Sequence, residues 1–468
     1  MTRVHFIGIC GTAMATLAAM MKRRGFDVRG SDQDVYPPMS DFLAAEGIPA
    51  MTGYLADHVT GDIDLVVVGN AISRGNAELE EVLDRKIRYC SLPEAIREHF
   101  LWGARSIVIA GTHGKTTTTS LLAFLLERAG LEPSFLIGGV PVDFGRSYRL
   151  ASGRQFVVEG DEYDCAFFDK RPKFVHYLPD VAIVGNVEFD HADIYPDLGA
   201  VQLAFTRLLN VVPRRGLVVA GTESPALVEI LPKARSRVET FGLHEGADWR
   251  ATDVRTGPGG SRFRLRRRGR DEGEFALAMG GEHNVRNALA ALAAVAEAGV
   301  EPEAARDALA AFQGVRRRLE VRGEAAGVTV YDDFAHHPTA VAATLAALRA
   351  LGGSGRLVAV FEPRSYTAKT RFFQDGFARA FAAADRVIVA ASHLPGKVPE
   401  ALRLSEDGLV AGIRAAGGDA AFVPTVPEIV EALVAYVRPG DRVAILSNGG
   451  FGGIHEKLLR ALEATVRA

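Results

Sequence analysis

Residues Gly111-Thr112-His113-Gly114-Lys115-Thr116 have the types and spacing that can hold the phosphates of a nucleoside triphosphate. Glycines let backbone N–H groups close around phosphate oxygens, the lysine adds a positive charge, and the Thr116 hydroxyl is a ligand for Mg²⁺. The spacing is G-x-x-G-K-T, shorter than the usual Walker pattern, so an ordinary strand-to-helix turn that contains a lysine is the alternative. The pattern indicates a site for a nucleoside triphosphate and Mg²⁺.

Two acidic segments, EGDEYD and VEFDHAD, each follow an apolar run. Because the carboxyl ends of neighbouring parallel strands meet at one edge of a sheet, both segments should face the phosphates. Glu159 and His191 are then candidate metal ligands beside Thr116. Mg²⁺ prefers oxygen ligands, so His191 could instead be a helix cap or a hydrogen-bonded core histidine. The run Asp161-Glu162-Tyr163-Asp164 could also be a solvated turn.

Further polar residues begin an alanine-rich helix, in GGEHNVRNALAALAAV at 280–295. His283, Asn284 and Asn287 lie within one turn and could face one ligand together, although Asn284 could simply cap the helix. Nearer the C-terminus, two strands end in polar segments, DDFAHHP at 332–338 and FEPRS at 361–365.

These residues need alternating strands and helices to position them. An apolar strand at Ile107–Ala110 precedes the phosphate loop, and a helical pattern at Thr117–Arg128 follows it. The N-terminal part alternates in the same way, with strands VHFIGI, FDVRGSD and LVVVG and helices ending near Arg24 and Arg85. Beyond Gly314, strands at 328–331, 357–361, 386–390 and 443–447 alternate with helices. We therefore predict three α/β domains, at residues 1–103, 104–314 and 315–468.

The first glycine turn, Gly8-Ile9-Cys10-Gly11, departs from the dinucleotide fingerprint because Cys10 stands where a glycine is required. A nicotinamide site and a dehydrogenase are therefore disfavoured. A glycine turn at a helix N-terminus can still hold a diphosphate. Ser31 and Asp32, at the end of the next strand, lie where a ribose or base would be reached.

Length and composition are those of an ordinary globular protein. The chain has 468 residues, 48% of them hydrophobic and 24% charged, which suits about three domains. The net charge of -3 argues against nucleic acid as a partner, so the run RLRRRGR at 264–270 is interpreted as an exposed hairpin face. We expect Cys10, Cys90 and Cys165 to be small buried residues, as in a reducing cytoplasm. No apolar run approaches the ~18 residues of a membrane span, so we expect a cytoplasmic protein without membrane contact.

The chain resembles the Mur ligases of peptidoglycan synthesis from end to end, in the segments HFIGICGTAM, GTHGKTT, EGDEYD, EFDHAD, HNVRNALAA, RRLE and DDFAHHPT. The resemblance implies a Rossmann-like UDP-binding domain, a central P-loop ATPase-type α/β domain and a C-terminal Rossmann-like α/β domain. It implies an ATP-dependent amide-bond ligase that uses Mg²⁺ and forms an acyl phosphate. A regulator that has lost catalysis is a weaker alternative, because Lys115, Glu159, His191 and Asp333 are retained.

Two kinds of family member have a similar N-terminus and take UDP-N-acetylmuramate. One adds L-alanine, and the other adds the tripeptide L-Ala-γ-D-Glu-meso-diaminopimelate. The segments GDEYDCAFFDKRPKFVHYLPD, FEPRSYT and SNGGFGGIHEKLL resemble the tripeptide-adding member. Arg364-Ser365 stands where the alanine-adding members have a His-Arg pair, which favours the tripeptide and leaves the alanine ligase as the alternative.

The resemblance also implies roles for individual residues. The expected catalytic residues are Lys115, Glu159, His191, Arg318 and Asp333, and the expected Mg²⁺ ligands are Thr116, Glu159 and His191. Nucleotide contacts are expected from Gly111, Thr112, His113, Gly114, Lys115, Thr116, Thr117, His283, Asn284, Asn287, Arg318 and Asp333. Contacts with the UDP-sugar or the amine substrate are expected from Gly11, Thr12, Ser31, Asp32, Ser73, His336, His337 and Arg364.

Overall fold

Three mainly parallel β-sheets follow one another along the chain in the computed structural model, which describes residues 1–467. The first sheet has five parallel strands in the order β3-β2-β1-β4-β5. Its strands and helices are β1 Arg3–Ile7, α1 Thr12–Arg23, β2 Asp27–Asp32, α2 Met39–Ala45, β3 Ala50–Thr52, β4 Leu65–Val68, α3 Ala77–Asp84, β5 Tyr89–Ser91 and α4 Leu92–Ile96. The predicted strand and helix alternation of this part is confirmed.

The central sheet has ten strands in the order β17-β16-β15-β14-β13-β12-β6-β9-β7-β8. The first elements of this part are β6 Arg105–Ala110, α5 Lys115–Arg128, β7 Ser134–Leu136, β8 Tyr148–Arg149, β9 Gln155–Glu159, β10 Asp164–Ala166, β11 Asp169–Pro172, β12 Val181–Val184, α6 Leu198–Val211 and β13 Leu217–Gly221. The remaining elements are α7 Pro225–Ile230, β14 Arg237–Gly242, β15 Trp249–Gly257, β16 Gly260–Arg267, β17 Arg270–Leu277, α8 Glu282–Glu297 and α9 Pro302–Ala311. Strands β10 and β11 form a separate antiparallel ribbon.

Strands β6, β9 and β12 are neighbours and parallel, and β6 is the middle strand of the three. Residues Ile107–Ala110 of β6 and all of β12 are apolar and buried, as is typical of strands covered on both faces. Helix α5 packs across this sheet with every residue from Thr116 to Leu126 buried. The loops that follow β6, β9 and β12 therefore lie side by side at one edge of the sheet.

The third sheet has six strands in the order β18-β19-β23-β20-β21-β22, all parallel except the edge strand β18. Its elements are β18 Glu320–Ala325, β19 Val328–Asp333, α10 Pro338–Ala350, β20 Leu357–Phe361, α11 Gln374–Ala380, β21 Arg386–Val389, α12 Glu406–Ala415, β22 Ala420–Phe422, α13 Val426–Tyr436, β23 Arg442–Leu446 and α14 Ile454–Arg467. The four predicted strands are confirmed as the inner strands of this sheet.

Two smaller predictions have different outcomes. The arginine run does form a hairpin, between β16 and β17, where Arg264 pairs with Asp271 at 2.6 Å on an exposed face. The prediction of three buried cysteines is wrong for two of them, since Cys165 is buried but Cys10 and Cys90 are partly exposed.

Within residues 1–467, no helix has both the length and the apolar character needed to cross a membrane. The domain limits at 103/104 and 314/315 lie between the sheets and stay a prediction.

Candidate active site

A cleft of about 1200 Å³ lies where the three sheet-containing parts of the chain meet. The phosphate loop forms its floor, Thr12 lines it from the first part, and Arg318 and Phe334 line it from the third. The predicted site residues that line this cleft are Thr12, Thr112, His113, Gly114, Lys115, Thr116, Thr117, Glu159, His191, His283, Asn284, Asn287, Arg318, Asp333, His336 and His337. The structure thus brings together residues that are up to 325 positions apart, from Thr12 to His337.

The phosphate loop is shaped by two glycines with positive φ, Gly111 at 131° and Gly114 at 82°. A Cβ on Gly114 would lie 2.5 Å from Oδ1 of Asn287, and one on Gly111 would lie 3.0 Å from the backbone N of Gly185. Only glycine satisfies both the backbone angle and this close packing. Helix α5 starts at Lys115, so the unpaired N–H groups of its first turn point into the loop, where an anion would be bound.

Lys115 lies at the centre of this loop. Its Nζ donates to the carbonyl oxygen of Gly111 at 2.7 Å and to both carboxylate oxygens of Glu162 at 2.7 and 3.0 Å. Burial lowers the pKa of Lys115, but the Glu162 and Asp161 carboxylates outweigh burial, so the pKa is raised and the ammonium stays charged. A charged, mostly buried lysine at a helix N-terminus is suited to bind phosphate oxygens.

Glu159, the last residue of β9, faces Thr116 across the cleft. The Thr116 hydroxyl donates to Glu159 Oε1 at 3.1 Å, and the N–H of Gly138 donates to Glu159 Oε2 at 2.8 Å. Burial raises the pKa of Glu159, more than the Gly138 N–H and Lys115 lower it. A nearby cation would therefore stabilise the ionised carboxylate.

Glu162 is a central residue that the sequence analysis did not single out. Its side chain is 2% exposed, and it links Lys115 to His191, whose Nε2 donates to Glu162 Oε1 at 3.1 Å. Burial raises the pKa of Glu162, but Lys115 and His191 outweigh burial, so its pKa is lowered. The alternative of a solvated acidic turn is wrong for Glu162 and Asp164, which are buried, whereas Asp161 is partly exposed and pairs with Lys173 at 2.5 Å. The signal that could have identified Glu162 in the sequence is its position in EGDEYD, directly after strand β9.

The oxygen donors at these strand ends suit Mg²⁺, which is usually bound by one or two carboxylates plus water and phosphate. Thr116 and Glu159 form one such pair. Asp161, Glu162 and His191 offer a second group, with ligand atoms within 4.8 Å of one another. The structure places His191 against Glu162, whereas the resemblance implied a cation shared by His191 and Glu159. The roles of Thr116, Glu159 and His191 as metal ligands stay a prediction that this donor set fits.

The start of α8 lies beside the phosphate loop. Helix α8 begins at Glu282, with Gly281 as its N-cap, so the alternative that Asn284 caps the helix is wrong. Asn284 instead donates to the Gly280 carbonyl oxygen at 2.8 Å, and Asn287 donates to Asn284 Oδ1 at 3.2 Å. Burial lowers the pKa of His283 to about 4, so its imidazole is neutral at pH 7. These three residues form a polar, uncharged wall of the cleft.

Arg318 reaches into the central part from the third part of the chain. Its guanidinium donates to the Thr116 hydroxyl at 3.4 Å and lies 4.9 Å from the centre of the Phe334 ring. Asp333 is buried, and its oxygens accept from the N–H groups of Leu319 at 2.7 Å and Ala335 at 2.9 Å. Asp333 thus holds the turn that carries Arg318, and its direct contact with a nucleotide stays a prediction.

The residues expected on the amine-substrate side follow β19 and β20. His336 and His337 both line the cleft. The N–H of Thr339 donates to His337 Nδ1 at 3.3 Å, which makes His337 the N-cap of α10 as well. Arg364 lies 3.4 Å from the Glu362 carboxylate and directly over Gly449. Arg364 is outside the cleft lining, although its neighbours Ser365, Tyr366 and Thr367 belong to it.

The residues expected to contact the UDP-sugar lie around the first glycine turn. Gly11 and Thr12 are exposed at the start of α1, and Ser73 is exposed after β4. Ser31 is fully buried and donates to Glu78 at 2.5 Å, so its hydroxyl does not face this surface, contrary to expectation. Asp32 accepts from the Cys10 N–H at 2.7 Å, and it therefore braces the glycine turn.

Replacement of Glu162 by glutamine tests the buried ion pair between Glu162 and Lys115. Glu162→Gln should lower the Tm of the purified protein, because removing one partner of a buried pair costs about 3 kcal/mol. Mg·ATP should raise the Tm of this variant more than that of the wild type, because phosphate replaces the lost negative charge beside Lys115. Differential scanning fluorimetry measures both shifts. Glu274→Gln, which breaks an exposed pair with Arg262, is the control, and an equal drop in both variants would contradict the interpretation.

Three family models match successive parts of the chain. They are described as Mur ligase family, catalytic domain, at residues 3–101; Mur ligase middle domain, at residues 109–295; and Mur ligase, glutamate ligase domain, at residues 317–449.

Full-length relatives and solved structures match as well. The chain is 43% identical to the UDP-N-acetylmuramate--L-alanyl-gamma-D-glutamyl-meso-2,6-diaminoheptandioate ligase of Escherichia coli (strain K12), over 100% of this chain and 99% of that protein. It is 38% identical to the UDP-N-acetylmuramate--L-alanine ligase of Anaeromyxobacter sp. (strain Fw109-5), over 99% of this chain and 98% of that protein. The crystal structure of a murein peptide ligase from Psychrobacter arcticus 273-4 matches with a TM-score of 0.74 and 37% identity, covering 99% of both chains.

Proposed function

Because the chain belongs to the Mur ligase family, we propose that it uses ATP to join UDP-N-acetylmuramate to the tripeptide L-Ala-γ-D-Glu-meso-diaminopimelate, as in peptidoglycan recycling. The observation that carries the ligase chemistry is the meeting of Lys115, the Thr116–Glu159 pair and the Glu162–His191 pair at adjacent strand ends. The tripeptide is supported by the 43% full-length identity to a tripeptide-adding ligase and by Arg364-Ser365.

The chemistry must overcome the low reactivity of a carboxylate toward an amine. Transfer of the γ-phosphoryl group of ATP to the muramoyl carboxylate releases ADP and makes an acyl phosphate. The tripeptide amine then attacks the acyl carbon, the C–O bond to phosphate breaks, and the amine loses a proton as the amide forms. Phosphoryl transfer depends mainly on positioning and on stabilising charge.

The cleft residues can provide both the positioning and the charge stabilisation that phosphoryl transfer needs. Lys115 and the N–H groups at the start of α5 would hold the terminal phosphates, and Arg318 brings another positive charge to within hydrogen-bonding distance of Thr116. Thr116, Glu159 and the Glu162–His191 pair would hold Mg²⁺. Bound Mg²⁺ would reduce the repulsion between the triphosphate and the acceptor carboxylate. Because Arg318 comes from the third part of the chain, the site is complete only when that part is docked.

An assay of substrate choice tests the proposed function. Purified protein supplied with UDP-N-acetylmuramate, ATP and tripeptide should release ADP and phosphate and form the amide, detected by mass spectrometry. L-Alanine, a tetrapeptide and a lysine-containing tripeptide complete the panel. Turnover with L-alanine but not with the tripeptide would contradict the proposal and favour the alanine ligase.

Substitution of Gly449 tests whether Arg364 recognises the tripeptide. A Cβ on Gly449 would lie 2.0 Å from Nε of Arg364, so Gly449→Ala must displace this guanidinium. We expect the KM for the tripeptide to rise at least about tenfold, the effect of losing one hydrogen bond to a charged group, with little change in the KM for ATP.

Gly450→Ala is the matched control. A Cβ there would meet no atom within 4 Å among the residues that the structure describes. Steady-state kinetics with each substrate varied in turn measure both variants. Equal effects of the two substitutions, or an equal rise in the KM for ATP, would show that Arg364 does not contact the tripeptide.

A further inference from the structure

The segment Glu188–His191, which follows β12, is contacted by side chains from the third part of the chain at several successive residues. The Thr339 hydroxyl donates to Glu188 Oε2 at 2.7 Å, and His337 Nε2 donates to the Phe189 carbonyl oxygen at 3.2 Å. The Phe189 ring also stacks on Phe373, with ring centres 5.9 Å apart. Side chains of the third part of the chain therefore hold the segment that leads to His191.

Thr367 makes the last of these contacts, at His191 itself. The N–H of His191 donates to Thr367 Oγ1 at 3.1 Å and to Asp190 Oδ1 at 2.7 Å. Thr367 is 2% exposed, so water does not readily replace it in this contact. One hydroxyl from the third part of the chain thus fixes the backbone of His191 in the central part.

The backbone at His191 needs such support. Its φ is 55°, in the left-handed region that residues other than glycine rarely adopt. Such a conformation is unfavourable for a residue with a side chain and persists only where surrounding contacts hold it. The direction of the imidazole toward Glu162 and against the Tyr163 ring, 4.4 Å between ring centres, depends on this backbone angle.

We propose that Thr367 is a positioning residue that holds His191 in place when the third part of the chain is docked, an inference that rests on the proposed function. Thr367 lies in the loop after β20 that also carries Arg364. When the third part of the chain docks, it therefore brings in the loop that would contact the tripeptide. The same docking orients the imidazole of His191 beside the acceptor carboxylate. The amine substrate then meets an acid-activating site that is already assembled.

Three variants separate this role from a general loss of contacts. Thr367→Val removes the hydroxyl at nearly constant volume, Thr367→Ser restores it, and Thr339→Val removes a different hydrogen bond to the same segment. We expect Thr367→Val to lower kcat about tenfold or more, in the range for residues that orient a metal ligand. The KM for ATP should stay near the wild-type value, and Thr367→Ser should recover most of the loss.

Binding of Mn²⁺ in the presence of ADP, followed by electron paramagnetic resonance, gives a readout that does not depend on turnover. Thr367→Val should weaken one Mn²⁺ site about tenfold, whereas Thr339→Val should leave it unchanged. Equal behaviour of Thr367→Val and Thr339→Val, or normal Mn²⁺ binding with normal kcat in Thr367→Val, would overturn the inference. Failure of the wild type to ligate the tripeptide would overturn the proposed function, while Mn²⁺ binding would still report on Thr367.

Discussion

Lys115→Ala is expected to reduce ligation on the order of a thousandfold, the upper range for removing one group that stabilises transition-state charge. Lys115 is the charged group at the centre of the phosphate loop, and its Nζ is held by Gly111 and Glu162. The N–H groups of the loop would remain but would lack the positive charge beside the transferred phosphoryl group. ADP release under saturating substrates measures the loss in kcat.

The same variant should bind UDP-N-acetylmuramate almost as well as the wild type. The expected UDP-sugar contacts lie around the glycine turn before α1, on a separate sheet from the phosphate loop. Isothermal titration calorimetry measures this affinity, and Lys233→Ala, on an exposed turn, serves as the control. A comparable loss of sugar binding in Lys115→Ala would show that the two sites are not separate.

Glu159→Gln is expected to have the second largest effect, a loss of kcat on the order of a hundredfold. Glutamine keeps the size of the side chain; its one amide oxygen can accept from the Gly138 N–H, and its NH2 group can donate to the Thr116 hydroxyl oxygen. It removes the negative charge that would hold Mg²⁺ against the phosphates. The Mg²⁺ concentration for half-maximal activity should therefore rise, while the Tm should not fall, because a buried charge has been removed.

Titration of activity with Mg²⁺ measures this effect, and Glu229→Gln, on the exposed face of α7, is the control. A Glu159→Gln variant with normal kcat and an unchanged Mg²⁺ requirement would remove Glu159 from the proposed cation site.

Several inner strands could be predicted from the sequence because they are continuous apolar runs between turn residues, although the inner strands β13 and β14 of the central sheet were missed. The strands β12 and β20 are examples of the predicted runs, since every residue in them is buried. The edge strands β18 and β22 were missed, because β18 has the polar sequence EVRGEA and β22 has only three residues. Their pairing depends on neighbours that are distant in sequence, and local patterns contain little information about such pairing.

The candidate site was predictable where a local motif sets the backbone, as in the phosphate loop with Gly111 and Gly114. It was less predictable where a side chain has a choice of partners. Glu162 and Asp161 are adjacent acids, yet one pairs with Lys115 and the other with Lys173, which only the packed structure decides. Thr367 was missed for the same reason, because its partner His191 lies 176 residues away.

The central claim is that this cleft activates a carboxylate with ATP. The most direct test is to measure whether an oxygen atom of the acid is transferred to phosphate. UDP-N-acetylmuramate labelled with ¹⁸O in both oxygens of its lactyl carboxylate is incubated with ATP, Mg²⁺ and the tripeptide, and the released phosphate is analysed by mass spectrometry. We predict that each phosphate carries one ¹⁸O atom, because the acyl C–O bond breaks when the amine attacks. Amide formation with unlabelled phosphate would contradict activation through an acyl phosphate at Lys115, Glu159 and His191.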